Sequence, residues 1–237
     1  MTMPGILGIY AHPDDESFGP GGAIAAYAHA GTPVNLLCAT RGEAGQLGDP
    51  PIVTRDGLGA AREEALRAAV RLLSFRDLYL LDHHDGELAD VPYATLLGEM
   101  MDVMRRVRPA TVLTFGPRGI YGHPDHIRIW KAATEAFWRL RGSVPELQRL
   151  YYHAIPRRTG RGMNRVVPGP EGTPNTELPV PPHALAAQIA ALAEHAKTQL
   201  DARGMRERLV QQRPTVAYLY RVEPPLPYGE IDRSLLP

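Results

Sequence analysis

The sequence predicts an α/β fold, a mostly parallel sheet with helices on both faces. Three observations lead there. Short apolar runs rich in β-branched and aromatic residues alternate with longer Ala-rich or amphipathic stretches along the whole chain. Several of the short runs end in polar clusters beside glycines, as strands do when they deliver functional side chains to the carboxyl edge of such a sheet. At 237 residues the chain suffices for one large domain with a substantial core, and 1–237 is read as that single domain.

The first strand is the run Ile6-Leu7-Gly8-Ile9-Tyr10, which leads into Ala11-His12-Pro13-Asp14-Asp15-Glu16 and the Gly-rich Ser17-Phe18-Gly19-Pro20-Gly21-Gly22. Pro13 removes a backbone donor and restrains His12 toward extended geometry, so the chain leaves the sheet here. One imidazole and two carboxylates then crowd one spot. They could cap the following helix, since Asp and Ser are ordinary N-cap residues. The glycines could instead present amides to an anion, although Gly-x-Gly-Gly lacks the dinucleotide fingerprint and follows the acidic pair. Imidazole nitrogen and carboxylate oxygen are also suitable zinc ligands. Two ligands do not hold a catalytic zinc, so the metal reading requires a third.

Residues 22–30 have the length and Ala content of a helix, stopped by Gly31 and Pro33, and 34–40 read as a second buried strand around Cys38. A lone cysteine forms no internal disulfide, and here it reads as core filler. Arg41 and Glu43 follow between glycines that allow a tight turn. Gly, Pro and Asp dominate 47–57, read as a loop bordering a pocket. An amphipathic helix over 58–73 buries Leu66, Val70 and Leu73, while Glu63 and Arg67 can pair across one turn. A third strand over 77–81 ends in Asp82, His83, His84 and Asp85; adjacent histidines point apart, so His83 and His84 read as loop residues. The helix over 93–107 turns Leu97, Met100, Met101, Met104 and Val107 inward, a core stripe.

The strand over 111–115 leads to Tyr121-Gly122-His123-Pro124-Asp125-His126. His123 and His126 sit three apart in what reads as the first turn of a helix running to about Arg139, on neighbouring faces, and either could supply the third ligand. Two His-Pro-Asp segments at equivalent strand ends are hard to explain as caps. A strand over 149–155 precedes a Pro, Gly, Arg and Asn-rich insertion over 156–182, read as a lid, a hairpin or an interface. One final helix is expected to carry Leu185, Ile189, Leu192 and Leu200 on its buried stripe with His195 near its middle. A strand over 216–222 closes the fold.

These residues resemble a known family. Ala11-His12-Pro13-Asp14-Asp15-Glu16 and Tyr121-Gly122-His123-Pro124-Asp125-His126 are similar to the two motifs of the PIG-L/LmbE-like zinc-dependent deacetylases, which remove acetyl groups from N-acetylglucosamine-containing molecules. Weaker matches lie at Thr40-Arg41-Gly42-Glu43-Ala44-Gly45, Asp85-Gly86-Glu87-Leu88 and His195-Ala196-Lys197-Thr198-Gln199. The resemblance implies a Rossmann-like sheet and one Zn2+ per chain, with His12, Asp15 and His126 as ligands and an open position for water. Other divalent transition metals suit the same donors. Asp14, placed beside the ion by its adjacency to Asp15, is then expected as the general base, with Tyr121 and His123 donating hydrogen bonds to the oxyanion. His123, charged or oriented by Asp125, shares with Asp14 the candidacy for protonating the amine. Arg62 and Asp85 are expected at the substrate, an N-acetylated sugar conjugate.

Two rivals remain at this level. The same metal water could cleave an ester or phosphoester, or the chain could be an inactive carbohydrate-binding relative, against which the intact Asp14 argues. Lys+Arg and Asp+Glu both total 26, a balance that argues against a nucleic-acid partner. The first residues lack the character of a secretory signal and no apolar run is long enough to span a bilayer, so a cytoplasmic protein is expected. The aglycone and any homo-oligomer stay open.

Overall fold

The computed structural model describes residues 3–47, 50, 51, 53–155, 173–227 and 229–237. Seven strands form one sheet: β1 (Ile6–Tyr10), β2 (Val34–Thr40), β3 (Asp77–His83), β4 (Thr111–Thr114), β5 (Arg149–His153), β6 (Thr176–Pro179) and β7 (Val216–Glu223). Their order is β3-β2-β1-β4-β5-β7-β6. The first five are parallel to one another, and β7 runs antiparallel to both β5 and β6. β1, β2 and β4 are buried along their whole length. Strands covered on both faces can be apolar throughout, which explains why these segments read as continuous hydrophobic runs.

The order reverses at β1. From there the chain winds outward through β2 and β3, then returns to β4 and β5 on the other side. A crevice opens beyond the carboxyl ends of the two strands at such a switch point. His12 follows β1, and the second motif follows β4.

Helices flank the sheet. α1 (Gly21–His29) and α2 (Arg55–Leu72) pack against α6 (Pro182–His195), while α3 (Tyr93–Val107) packs against α5 (Pro124–Leu140). The expected inward residues Leu66, Val70, Leu73, Leu97, Met100 and Met104 are all in the core. The expected turn-to-turn pair also forms, with Arg67 donating to Glu63 at 2.9 and 2.7 Å.

Four expectations about elements change. β3 runs on to His83, two residues past its expected end, because its pairing with β2 continues to Thr40, so His83 is a strand residue and not a loop residue. α2 begins at Arg55, three residues early, because the Thr54 side chain accepts from the Gly57 amide at 3.3 Å and caps the helix inside the expected loop. The single final helix is two: α6 ends at His195, and α7 (Leu200–Gln212) starts after a corner in which the Thr198 and Gln199 amides both return to the His195 carbonyl at 3.1 Å. Leu200 therefore leaves the buried stripe and is exposed. Within the insertion, residues 173–182 supply β6, which pairs with β7; residues 156–172 lie outside the described residues. A short turn, α4 (Gly119–Gly122), precedes α5.

Candidate active site

The second motif is a helix start written residue by residue. His123 is the N-cap of α5, its Nδ1 accepting from the Asp125 amide at 3.2 Å, and Pro124 occupies the first turn, where the missing N–H costs nothing. His126 then lies in the first turn, 3% exposed, pointing back over the end of β4. Its ring stacks flat on Phe115 at 3.9 Å and 3°, and its Nδ1 lies 3.3 Å from the Gly119 carbonyl. That carbonyl accepts a hydrogen bond from Nδ1–H, which leaves Nε2 with its lone pair aimed at the first motif.

His12 uses its two nitrogens on opposite sides. Nδ1 is 3.2 Å from His126 Nε2 and 3.7 Å from Asp15 Oδ2, while Asp15 Oδ1 is 3.5 Å from His126 Nε2. Nε2 faces Asp85 Oδ1 at 2.9 Å and Asp125 Oδ2 at 3.1 Å. A zinc ion with ligands at its usual 2.0–2.1 Å would hold them at the corners of a tetrahedron with edges of about 3.4 Å. The His12 Nδ1–His126 Nε2 separation matches such an edge, and the Asp15 carboxylate turns one oxygen toward each ring, Oδ2 to His12 and Oδ1 to His126, so these groups have the chemistry and the proximity of a divalent-ion donor set. Carboxylates behind a ligating histidine are the usual second support.

Two trios among the described residues bring one ligand atom each within 4.8 Å of the others, His12 with His123 and His126, and His12 with Asp85 and Asp125. Both are less free to ligate. His123 spends Nδ1 on its helix cap. The Asp125 carboxylate already accepts the Gly86 and Leu88 amides at 2.8 and 3.2 Å, and Asp85 accepts the Ala44 amide at 3.2 Å.

Asp14 sits beside this cluster with a backbone φ of 112°, a conformation L residues rarely adopt. Burial pushes its carboxyl above the ordinary range, although the Arg62 guanidinium, 3.7 Å away, pulls the other way. Burial also raises Asp15 against the pull of His12. His12 itself is raised to about 10: burial disfavours its charge, but the hydrogen bonds to Asp125 and Asp85 outweigh that. His126 is lowered by burial and by the charge on His12, so its imidazole is neutral and able to ligate.

The sequence-derived residues are thus brought to one place, with changes of duty for three. Asp125 was expected to orient His123; its carboxylate instead holds His12 Nε2, and its link to His123 runs through the backbone amide. Asp85 faces His12 as well. Arg62 is 5% exposed and donates to the Gly42 and Pro13 carbonyls at 2.6 and 2.8 Å. Tyr121 stands at the mouth, half-exposed, its ring edge-on to His123 and His126 at 5.8 and 5.5 Å. His83 pairs with Glu99 at 2.6 Å and His84 with Glu43 at 3.1 Å, both away from the cluster.

Sequence reading missed Glu16, His195 and Gln199 as contributors. Glu16 Oε1 faces His195 Nε2 at 2.7 Å, fully buried, and Gln199 reaches Asp14 and Arg62. The signal was their place in the segments that carry the resemblance, 11–16 and 195–199, which says nothing of whether the groups meet.

A protein-family profile described as "PIG-L: GlcNAc-PI de-N-acetylase" matches residues 7–137. The 1D-myo-inositol 2-acetamido-2-deoxy-alpha-D-glucopyranoside deacetylase of Streptomyces avermitilis is 31% identical over 248 residues, covering 84% of this chain and 84% of that protein. The probable N-acetyl-alpha-D-glucosaminyl L-malate deacetylase 2 of Bacillus anthracis is 33% identical over 151 residues, covering 63% of this chain and 65% of that protein. The match to the inositol-conjugate deacetylase of Kineococcus radiotolerans covers 59% of its length, so the chain spans less than two thirds of some relatives. Among solved structures, N,N'-diacetylchitobiose deacetylase from Pyrococcus horikoshii superposes with a TM-score of 0.70 at 19% identity, covering 92% of this chain and 83% of that one. GalB, a 4-carboxy-2-hydroxymuconate hydratase from Pseudomonas putida, superposes at 0.72 with 23% identity, covering 96% and 99%. At such identities the likeness is one of fold, and a fold shared by a deacetylase and a hydratase leaves the reaction to the site.

Proposed function

The chain belongs to the PIG-L family, and from that premise we propose that it is a zinc-dependent hydrolase removing the N-acetyl group from an N-acetylglucosamine conjugate. The observation that carries this reading is the gathering of His12 Nδ1, His126 Nε2 and the Asp15 carboxylate, with nearest separations of 3.2, 3.7 and 3.5 Å, at the sheet's switch point. Relatives named for inositol and malate conjugates support a small polar aglycone. Zinc held there supplies a Lewis acid and an acidified water, the nucleophile that amide hydrolysis needs near neutral pH.

The chain's own residues do the rest. Asp85 and Asp125 fix the Nε2 proton of His12, which turns the Nδ1 lone pair toward the ion. Asp14 Oδ takes the proton of the attacking water and delivers it to the departing amine; a carboxyl raised by burial suits both halves of that task. Burial lowers His123, so it works as a neutral ring. With Nδ1 occupied by the Asp125 amide, its proton sits on Nε2 and can be donated to the oxyanion. The Tyr121 hydroxyl donates from the mouth. Arg62 holds Asp14 and Asp85 holds His12, each at the edge of the space for the sugar. The chain is taken as one catalytic domain working in the cytoplasm.

The test is amine and acetate release from N-acetylglucosaminyl inositol and malate conjugates by zinc-loaded protein. Chelation is expected to abolish it. Asp14→Asn is expected to lower kcat by about 10²- to 10⁴-fold while zinc stays bound. Sugar binding without turnover by the loaded wild-type chain would overturn the proposal.

A further inference from the structure

We propose that His195 and Gln199 are positioning residues, which hold Asp14 in its strained conformation through Glu16 and Arg62. This role, which rests on the deacetylase reading above, draws in residues beyond the matched segment 7–137. A φ of 112° at Asp14 persists only where the surroundings over-determine it. Two arms do so, one on the backbone and one on the side chain.

On the backbone, Glu16 Oε2 accepts the Asp14 amide at 3.0 Å. The other carboxylate oxygen accepts the Ser17 hydroxyl and faces His195 Nε2 at 2.7 Å. The Asp14 carbonyl closes the turn by accepting the Ser17 and Phe18 amides at 2.8 and 3.0 Å. Glu16 is 1% exposed and His195 is 0%. Neither can reach a substrate, so whatever they contribute passes through Asp14.

On the side chain, the Gln199 amide bridges the base and its cationic neighbour. With the amide turned so that its oxygen faces the guanidinium, the orientation that satisfies both neighbours, that oxygen accepts from Arg62 Nη2 and Nε at 2.7 and 2.6 Å and the nitrogen donates to Asp14 Oδ2. Arg62 is itself anchored on the Pro13 and Gly42 carbonyls. One arm sets the torsion of Asp14 and the other sets the direction of its carboxylate. Both start at the corner between α6 and α7, where the return of the Gln199 amide to the His195 carbonyl sets the two residues one turn apart.

Gln199→Met removes the side-chain arm at nearly constant volume; Glu16→Gln leaves one carboxylate-edge acceptor too few for Asp14 and His195 together. Each is expected to lose about 10- to 100-fold in kcat, as small misplacements of a reacting group do. KM should stay within about threefold, zinc should remain stoichiometric, and the loss should not follow thermal stability. If Glu16→Gln fails to fold, Gln199→Met decides. A kcat within about threefold of wild type in Gln199→Met, or a loss accounted for by departed zinc, overturns the positioning role. A wild-type chain that hydrolyses no acetamide overturns the deacetylase reading instead. Amide hydrogen exchange over residues 14–18 then decides positioning separately: faster local exchange in folded Gln199→Met sustains it, and unchanged exchange overturns it.

Discussion

The His12 ring is used on both edges, Nδ1 toward His126 and Asp15 and Nε2 toward Asp85 and Asp125. Asp125→Asn replaces a buried acceptor of three donors by a group that can present an N–H to His12. Zinc affinity or activity is expected to fall about 10- to 100-fold, read by competition with a chromogenic chelator. Protons and metal compete for Nδ1, so that affinity should also weaken in acid. The same residue sets a stability trend. Buried His12 and His195 both bind protons more tightly folded than unfolded, because facing carboxylates outweigh desolvation. Their contribution is complete below the ordinary histidine value of 6.5 and is lost as pH rises through the folded value, about 10 for His12. Zinc-free protein should therefore lose Tm between about pH 7 and 10. Zinc-loaded protein, with an ion in place of the Nδ1 proton, should lose less.

At the scale of elements, the loop after β2 and the helix α2 are fitted to each other around one guanidinium. Gly42 has a φ of +69°, and a Cβ there would lie 2.3 Å from Arg62 Cζ and Nη1. Gly42→Ala therefore meets both a left-handed backbone and a collision with a side chain that supports Asp14. A loss of about 1–3 kcal/mol in urea unfolding is expected, together with reduced kcat. The helix start of α5 shows the reverse economy: a single His-Pro-Asp-His segment caps the helix, orients His123 and delivers His126.

At the scale of the molecule, the two halves of the ion site are far apart in sequence and adjacent only because β4 pairs with β1. The unfolded chain cannot assemble them, so binding free energy becomes folding free energy. At 100 times its dissociation constant a metal that binds only the native state adds about 2.7 kcal/mol. Thermal unfolding with zinc and with chelator should differ accordingly, and the gap should grow with free zinc.

The sequence by itself determined the alternation of elements, the apolar strands, the amphipathic stripes of α2 and α3, and both chemical motifs. These are local: periodicity, turn residues and His-Pro-Asp spacing are written within a few residues of one another. It also marked His12, Asp14, Asp15, His123 and His126, since two His-Pro-Asp clusters, each after an apolar strand, have few structural uses. Only the tertiary structure decided that Asp125 serves His12, that Arg62 turns inward, that the last helix breaks at His195, and that Glu16 and Gln199 meet Asp14. Those outcomes depend on contacts across tens to hundreds of residues, where side-chain direction is set by packing and by the desolvation of charge, and neither has a signature in local pattern.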